Sequence, residues 1–112
     1  MSIQTLSEDV VFVNLPAKAP ERGCELAKII EIIEARNNCD VIISLAGVEI
    51  INSLNIGSLL ILHNLLNKQG RHLILCYVGF PNKCIFSVVG LKKHFNFTDD
   101  KFDALEYLRS VN

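Results

Sequence analysis

Two stretches of this sequence, Val41-Ile42-Ile43-Ser44-Leu45 and Leu73-Ile74-Leu75-Cys76-Tyr77-Val78, are apolar almost throughout and lack the alternation of a strand half in water. Runs of this length fit strands covered on both faces, the condition of a parallel sheet buried between layers of helix. The segments around them must then supply helices. Between residues 21 and 36 Leu26, Ile29, Ile30 and Ile33 recur at i, i+3, i+4 and i+7, while Glu25, Lys28, Glu31 and Glu34 take other faces. That is an amphipathic helix, and Asn37-Asn38 can stop it.

The remaining elements follow the same alternation. Val10-Val11-Phe12-Val13-Asn14-Leu15 reads as the first strand, ended by Pro16 and followed by a turn-rich loop through Pro20 and Gly23. After the first buried run, residues 47–51 make a short irregular approach to Asn52-Ser53, and Ile56, Leu59, Leu60 and Leu66 mark a second helix ending near Gly70. Gly79 to Pro81 turns the chain into a third helix carrying Cys84, Ile85, Val88 and Val89, with Pro81 suited to its first turn and Gly90 to its C-terminal cap. His94-Phe95-Asn96-Phe97 alternates like a short strand, and Asp99 or Asp100 can cap a last helix with Phe102, Leu105 and Leu108 on one face. The expected fold class is α/β: one domain over residues 1–112, with a four-to-five-stranded, mixed or mostly parallel sheet covered by about four helices.

Composition removes several function classes. With 11 basic against 12 acidic side chains and a net charge of -1, the chain has no electrostatic footprint for nucleic acid. Every apolar run is broken well before the ~18 residues of a spanning helix, so no membrane insertion is expected. The opening MSIQTLSED has neither the basic nor the apolar region of an export signal, and the expected location is cytoplasmic. Cys24, Cys39, Cys76 and Cys84 form no C-x-x-C pair, and His63, His72 and His94 do not stand beside them at ligand spacing. They read as reduced thiols, and no metal or cofactor is implied. There is no G-x-G-x-x-G, P-loop or G-x-S-x-G, and the acidic residues a receiver domain needs at its strand ends are replaced by Leu15-Pro16 and Leu45-Ala46. An enzyme is therefore not expected.

Three segments in order carry a likeness to a known family: CDVIISLAGVEIINSLNIGSLLILHNLL, KQGRHLILCYVG and IFSVVGLKKHFNFTDDKFDALEYL. From Cys39 to Leu108 the chain resembles the STAS domain, the fold of bacterial anti-sigma factor antagonists and of the cytoplasmic tails of sulfate transporters. The resemblance implies a strand, a short approach, a phosphorylatable residue at the start of a Leu-rich helix, and a partner that docks there. At that position stands Ser53, within a partner-binding segment Asn52, Ser53, Leu54, Asn55, Ile56 and Gly57. The implied partner is an anti-sigma factor or related serine kinase, bound by the unphosphorylated face and released on phosphorylation. The chain departs from the family pattern at Asn52 in place of Asp, Leu54 in place of a small hydroxyl residue and Asn55 in place of Gly. Its first loop, Leu15-Pro16-Ala17-Lys18-Ala19-Pro20, replaces an acidic run.

Ser53 reads in two ways. A Ser at the start of a helix sits where backbone N–H groups are unpaired and the dipole is positive, so a phosphate of about two negative charges is accommodated without a change of fold. Ser is also a good N-cap, and a cap alone explains its presence. Ser58, one turn on, reads as a solvent-facing helix residue. Leu54, Ile56 and His63 are candidates for an exposed docking face, although apolar residues at helical spacing more often form core. An exposed helix face of this kind would also suit a homodimer. Two other functions remain open at this point, a scaffold that binds by the same face without phosphorylation and a small-ligand-binding domain of the same fold.

Overall fold

A computed structural model describes residues 2–7, 9–15, 24–36 and 38–111. Among them the chain forms β1 (Ser2–Ser7), β2 (Val10–Asn14), α1 (Cys24–Arg36), β3 (Asp40–Ser44), α2 (Ser53–Lys68), β4 (Leu73–Cys76), α3 (Phe80–Val88), β5 (Asn96–Thr98) and α4 (Lys101–Val111). The sheet order is β1-β2-β3-β4-β5. β2 to β5 run parallel and β1 pairs antiparallel with β2, so the sheet is mixed.

Strand periodicity divides the core in two. One row across the sheet, Val13, Ile43, Leu75 and Phe97, is in register and faces the layer of α1, α2 and α3. Ile29 and Ile33 of α1, Leu59, Leu62 and Leu66 of α2 and Phe86 of α3 are buried against it. The adjacent row, with Phe12, Ile42 and Ile74, faces α4, where Ala104 and Leu108 close the second cluster. Because successive side chains point to opposite faces, a strand covered on both sides must be apolar at every position. This is the origin of the two continuous runs.

Both glycine stops are real. Gly70 and Gly90 have φ of 72° and 78°, the left-handed region that glycine enters without a Cβ penalty. Each is followed by a residue whose N–H reaches back into the last turn: Arg71 to the carbonyl of Leu66 and Leu91 to that of Phe86, both at 2.8 Å. These are Schellman closures.

Four expectations change. The strand β1 precedes the first expected element; as an edge strand with one neighbour it needs little apolar content, and Ile3 is 42% exposed. β4 ends at Cys76, not Val78, because Tyr77 leaves the extended region with φ of 54°. The short last strand lies at 96–98, beginning two residues later than its alternation suggests. Phe102 is exposed, its ring 5.7 Å from the Lys101 ammonium, and Ala104 takes its place beside Leu108 in the core. Asp100 is the cap of α4, its Oδ1 accepting from the N–H of Asp103 at 2.8 Å.

Cys39 and Cys76 are buried and Cys84 is exposed. Burial, with Asp100 nearby, pushes the Cys76 thiol up to about 11, so it carries no thiolate at neutral pH. The side chains of Cys24 and Leu26 and the proline-bearing loop at 16–23 lie outside the described residues. No described helix is long and apolar enough to cross a membrane. Among the described residues no three His, Cys, Asp or Glu side chains gather at metal-binding distance.

Candidate functional site

The four parallel strands end at one edge of the sheet, and the helices that follow β3, β4 and β5 begin there. Residues 45–52 form the longest described connection on that edge. It leaves β3 through a tight turn: the buried hydroxyl of Ser44 accepts from the N–H of Ala46 at 3.3 Å, and the N–H of Val48 donates to the carbonyl of Leu45 at 3.0 Å. Leu45, Val48 and Ile51 are buried anchors, while Ala46, Gly47, Glu49 and Ile50 face outward.

The carboxamide of Asn82, in the first turn of α3, is fully buried and holds the approach from behind. Its Oδ1 accepts from the N–H of Ile51 at 2.8 Å and its Nδ2 donates to the carbonyl of Val48 at 3.0 Å. Both backbone groups would otherwise be orphans inside the protein. Sequence reasoning missed Asn82. Set between Pro81 and Lys83, it looks like any polar residue at a helix start, and its partners are more than 30 positions away.

The cap of α2 is Asn52, not Ser53. Asn52 has extended backbone, φ -105° and ψ 171°, and its Oδ1 accepts from the N–H of Asn55 at 2.8 Å. Such a cap contributes about 1 kcal/mol, and Asn serves as well as Asp. Ser53 is therefore the first helical residue, exposed, and its hydroxyl makes no hydrogen bond among the described residues. The first turn of α2 carries no acidic side chain, so nothing on the helix offsets the positive end of its dipole.

Of the other sequence candidates, Leu54 is 62% exposed. Asn55, Ile56 and Gly57 are half-buried, and Ile56 packs on the core. Around a Cβ built at Gly57 there is open space, so its lack of side chain answers no crowding within this chain. Ser58 is half-buried rather than solvent-facing. The same edge carries three exposed apolar residues that the sequence did not single out: Ile50 before the site, Phe80 at the start of α3 and Tyr77 between β4 and α3. Polar and apolar exposure thus meet around one unengaged hydroxyl.

His63 lies ten residues further along α2 than Ser53 and is half-buried. Its ring packs edge-on to Phe95 with centroids 5.5 Å apart and stands 5.9 Å from His94. Burial, and secondarily His94, hold its pKa below the usual 6.5. The unfolded chain then binds the proton more readily, so stability is full above about pH 6.5 and falls as the pH drops towards the lower folded value. Between about pH 7.5 and 5.5 the urea midpoint of the wild type is expected to fall further than that of His63→Gln. Equal falls would remove His63 as the cause.

A family model described as STAS domain matches residues 23–104. A serine-to-glutamate variant of RsbS from Moorella thermoacetica is similar in structure with a TM-score of 0.85 at 12% identity, over 98% of this chain and 95% of that one. An anti-sigma-factor antagonist (STAS) domain protein from Planctomyces limnophilus has a TM-score of 0.77 at 22% identity, over 96% and 97% of the two chains. The anti-sigma factor antagonist SpoIIAA in its unphosphorylated form gives 0.78 at 15% identity, over 97% and 96%. Similarity at these identities is similarity of fold. No curated protein matches the chain.

Proposed function

The chain belongs to the STAS domain family, and from that premise we propose that it is a protein-binding switch module, one STAS domain over residues 1–112, that works in the cytoplasm. Its partner in this reading is an anti-sigma factor or a related serine kinase, bound through Asn52, Ser53, Leu54, Asn55, Ile56 and Gly57, and its switch is phosphorylation of Ser53. The observation that carries the proposal is the division of labour at the start of α2. Asn52 performs the cap, which leaves an exposed and unengaged Ser53 hydroxyl beside exposed Leu54.

Chemistry at Ser53 then costs the fold little. Phosphate adds about -1.5 to -2 charges at the positive end of a helix whose first turn holds no carboxylate, so the domain itself tolerates it. A partner that had docked on a neutral hydroxyl and an apolar neighbour meets instead a charge that is expensive to desolvate. The surface changes and the scaffold does not. Similarity of fold to an anti-sigma factor antagonist solved in its unphosphorylated form supports the same reading.

The test is co-purification with the anti-sigma or kinase-like protein encoded beside it, comparing wild type, Ser53→Ala and Ser53→Asp. Ser53→Ala is expected to be captured like wild type, and Ser53→Asp more weakly by about tenfold or more, the scale of one unmatched charge at a docking edge. Incubation of the wild type with that kinase and ATP should add one phosphate, located at Ser53 by mass spectrometry. Equal capture of all three proteins together with no added phosphate would sink the switch.

A further inference from the structure

We propose that Asn82 is a positioning residue for Ser53: its buried carboxamide is the latch that fixes the approach at 48–51 and so sets where the start of α2 stands. The proposal rests on the reading of the Ser53 edge as the docking face, and its first test does not use that reading. Asn82 is the third residue of α3 after its Gly79 cap, 0% exposed, and no other side chain among the described residues hydrogen-bonds the backbone of 48–51.

The fit is specific to a carboxamide. The approach offers a donor at Ile51 and an acceptor at Val48, three residues apart, and one planar group answers both. Only Asn or Gln carries a carbonyl acceptor and an N–H donor on one such group whatever the pH, and Gln is a methylene longer than the space behind a fully buried Asn allows. A carboxylate could accept from Ile51 but would oppose the Val48 carbonyl; an aliphatic side chain would orphan both groups. Ile51 is followed at once by the Asn52 cap and Ser53, so a shift at its N–H is passed directly to the helix start. Through this latch the approach to α2 is tied to the first turn of α3, and each helix start carries an exposed apolar residue, Leu54 and Phe80.

Amide hydrogen exchange on the isolated protein tests it. In Asn82→Leu the protection of the Ile51 N–H is expected to fall by about tenfold or more, while Ile43 and Leu75 in the sheet keep theirs within about twofold. Unchanged protection at Ile51, or an equal loss at Ile43 and Leu75, would overturn the latch. Should Asn82→Leu fail to fold, Asn82→Asp decides. Its carboxyl keeps the acceptor for Ile51 and can donate to Val48 only when protonated, so Ile51 protection should fall as the pH is raised through that titration while the wild type stays flat. A variant as flat as wild type defeats the proposal, since filling the same space would then be all that Asn82 does. Partner capture by Asn82→Asp should follow the same pH course. Loss of capture by the wild type itself would instead count against the docking reading and leave the exchange result standing.

Discussion

Arg71→Met is expected to lower the unfolding free energy by roughly 3–5 kcal/mol, a large share of what a domain of this size possesses. The reason is Asp40, the first residue of β3, whose side chain is fully buried. Its Oδ2 lies 2.9 Å from Arg71 Nη2, and its Oδ1 accepts from the N–H of His72 at 2.8 Å. The same guanidinium nitrogen reaches the backbone carbonyl of Asp9 at 3.4 Å and its carboxylate at 3.6 Å. One side chain therefore ties the β1–β2 turn, the start of β3 and the connection from α2 to β4. Methionine keeps much of the packing of the stem and removes the cation 2.9 Å from a buried carboxylate. Denaturant titration with an unchanged slope should show the loss as a lower midpoint. Pairing the change with Asp40→Leu should recover part of it, because two uncharged groups of similar bulk carry no desolvation debt. A single-variant loss below about 1 kcal/mol would mean that the carboxylate is compensated elsewhere.

This ion pair sits at the edge of the sheet where the parallel strands begin, opposite the edge that carries Ser53. It was not legible in the sequence, and neither was Asn82, for a common reason. Periodicity reports which face of an element is apolar, and it located β3, β4, the helices and both glycine closures because those are local consequences of burial. Asp40 and Arg71 are 31 positions apart, as are Asn82 and Ile51; Asp40 and Arg71 look like ordinary polar residues flanking apolar runs, and Asn82 like one at a helix start. Their meaning is created only when the chain brings the two places together.

The site itself was half legible. Ser53 at a strand-to-helix junction follows from the spacing, but which of two adjacent residues caps the helix does not, since both Asn and Ser cap well. The backbone decides it by placing Asn52 in the extended region and Ser53 inside the first turn. Phe102 failed for a different reason. It shares helical spacing with Leu105 and with the core, yet a helix that lies on only one sheet face buries a narrow stripe, and Ala104 and Leu108 fill it.

The second large effect concerns the proposed docking edge. If Leu54 is an anchor for the partner, Leu54→Asp should weaken capture by roughly 30-fold or more, the scale of a hot-spot side chain replaced by an unmatched charge. It should do so without a stability change beyond about 0.5 kcal/mol, because Leu54 is 62% exposed and lies outside both core clusters. Val88→Asp makes the same chemical change at a residue 86% exposed, on the last turn of α3, away from the edge. That variant should be captured like wild type. Surface plasmon resonance with the immobilised partner measures both, and equal losses in the two variants would place the contact somewhere other than the start of α2. The comparison also separates docking from switching: a Leu54→Asp loss alongside indifference to Ser53→Asp would leave a surface that binds through its apolar residue and takes no instruction from its hydroxyl.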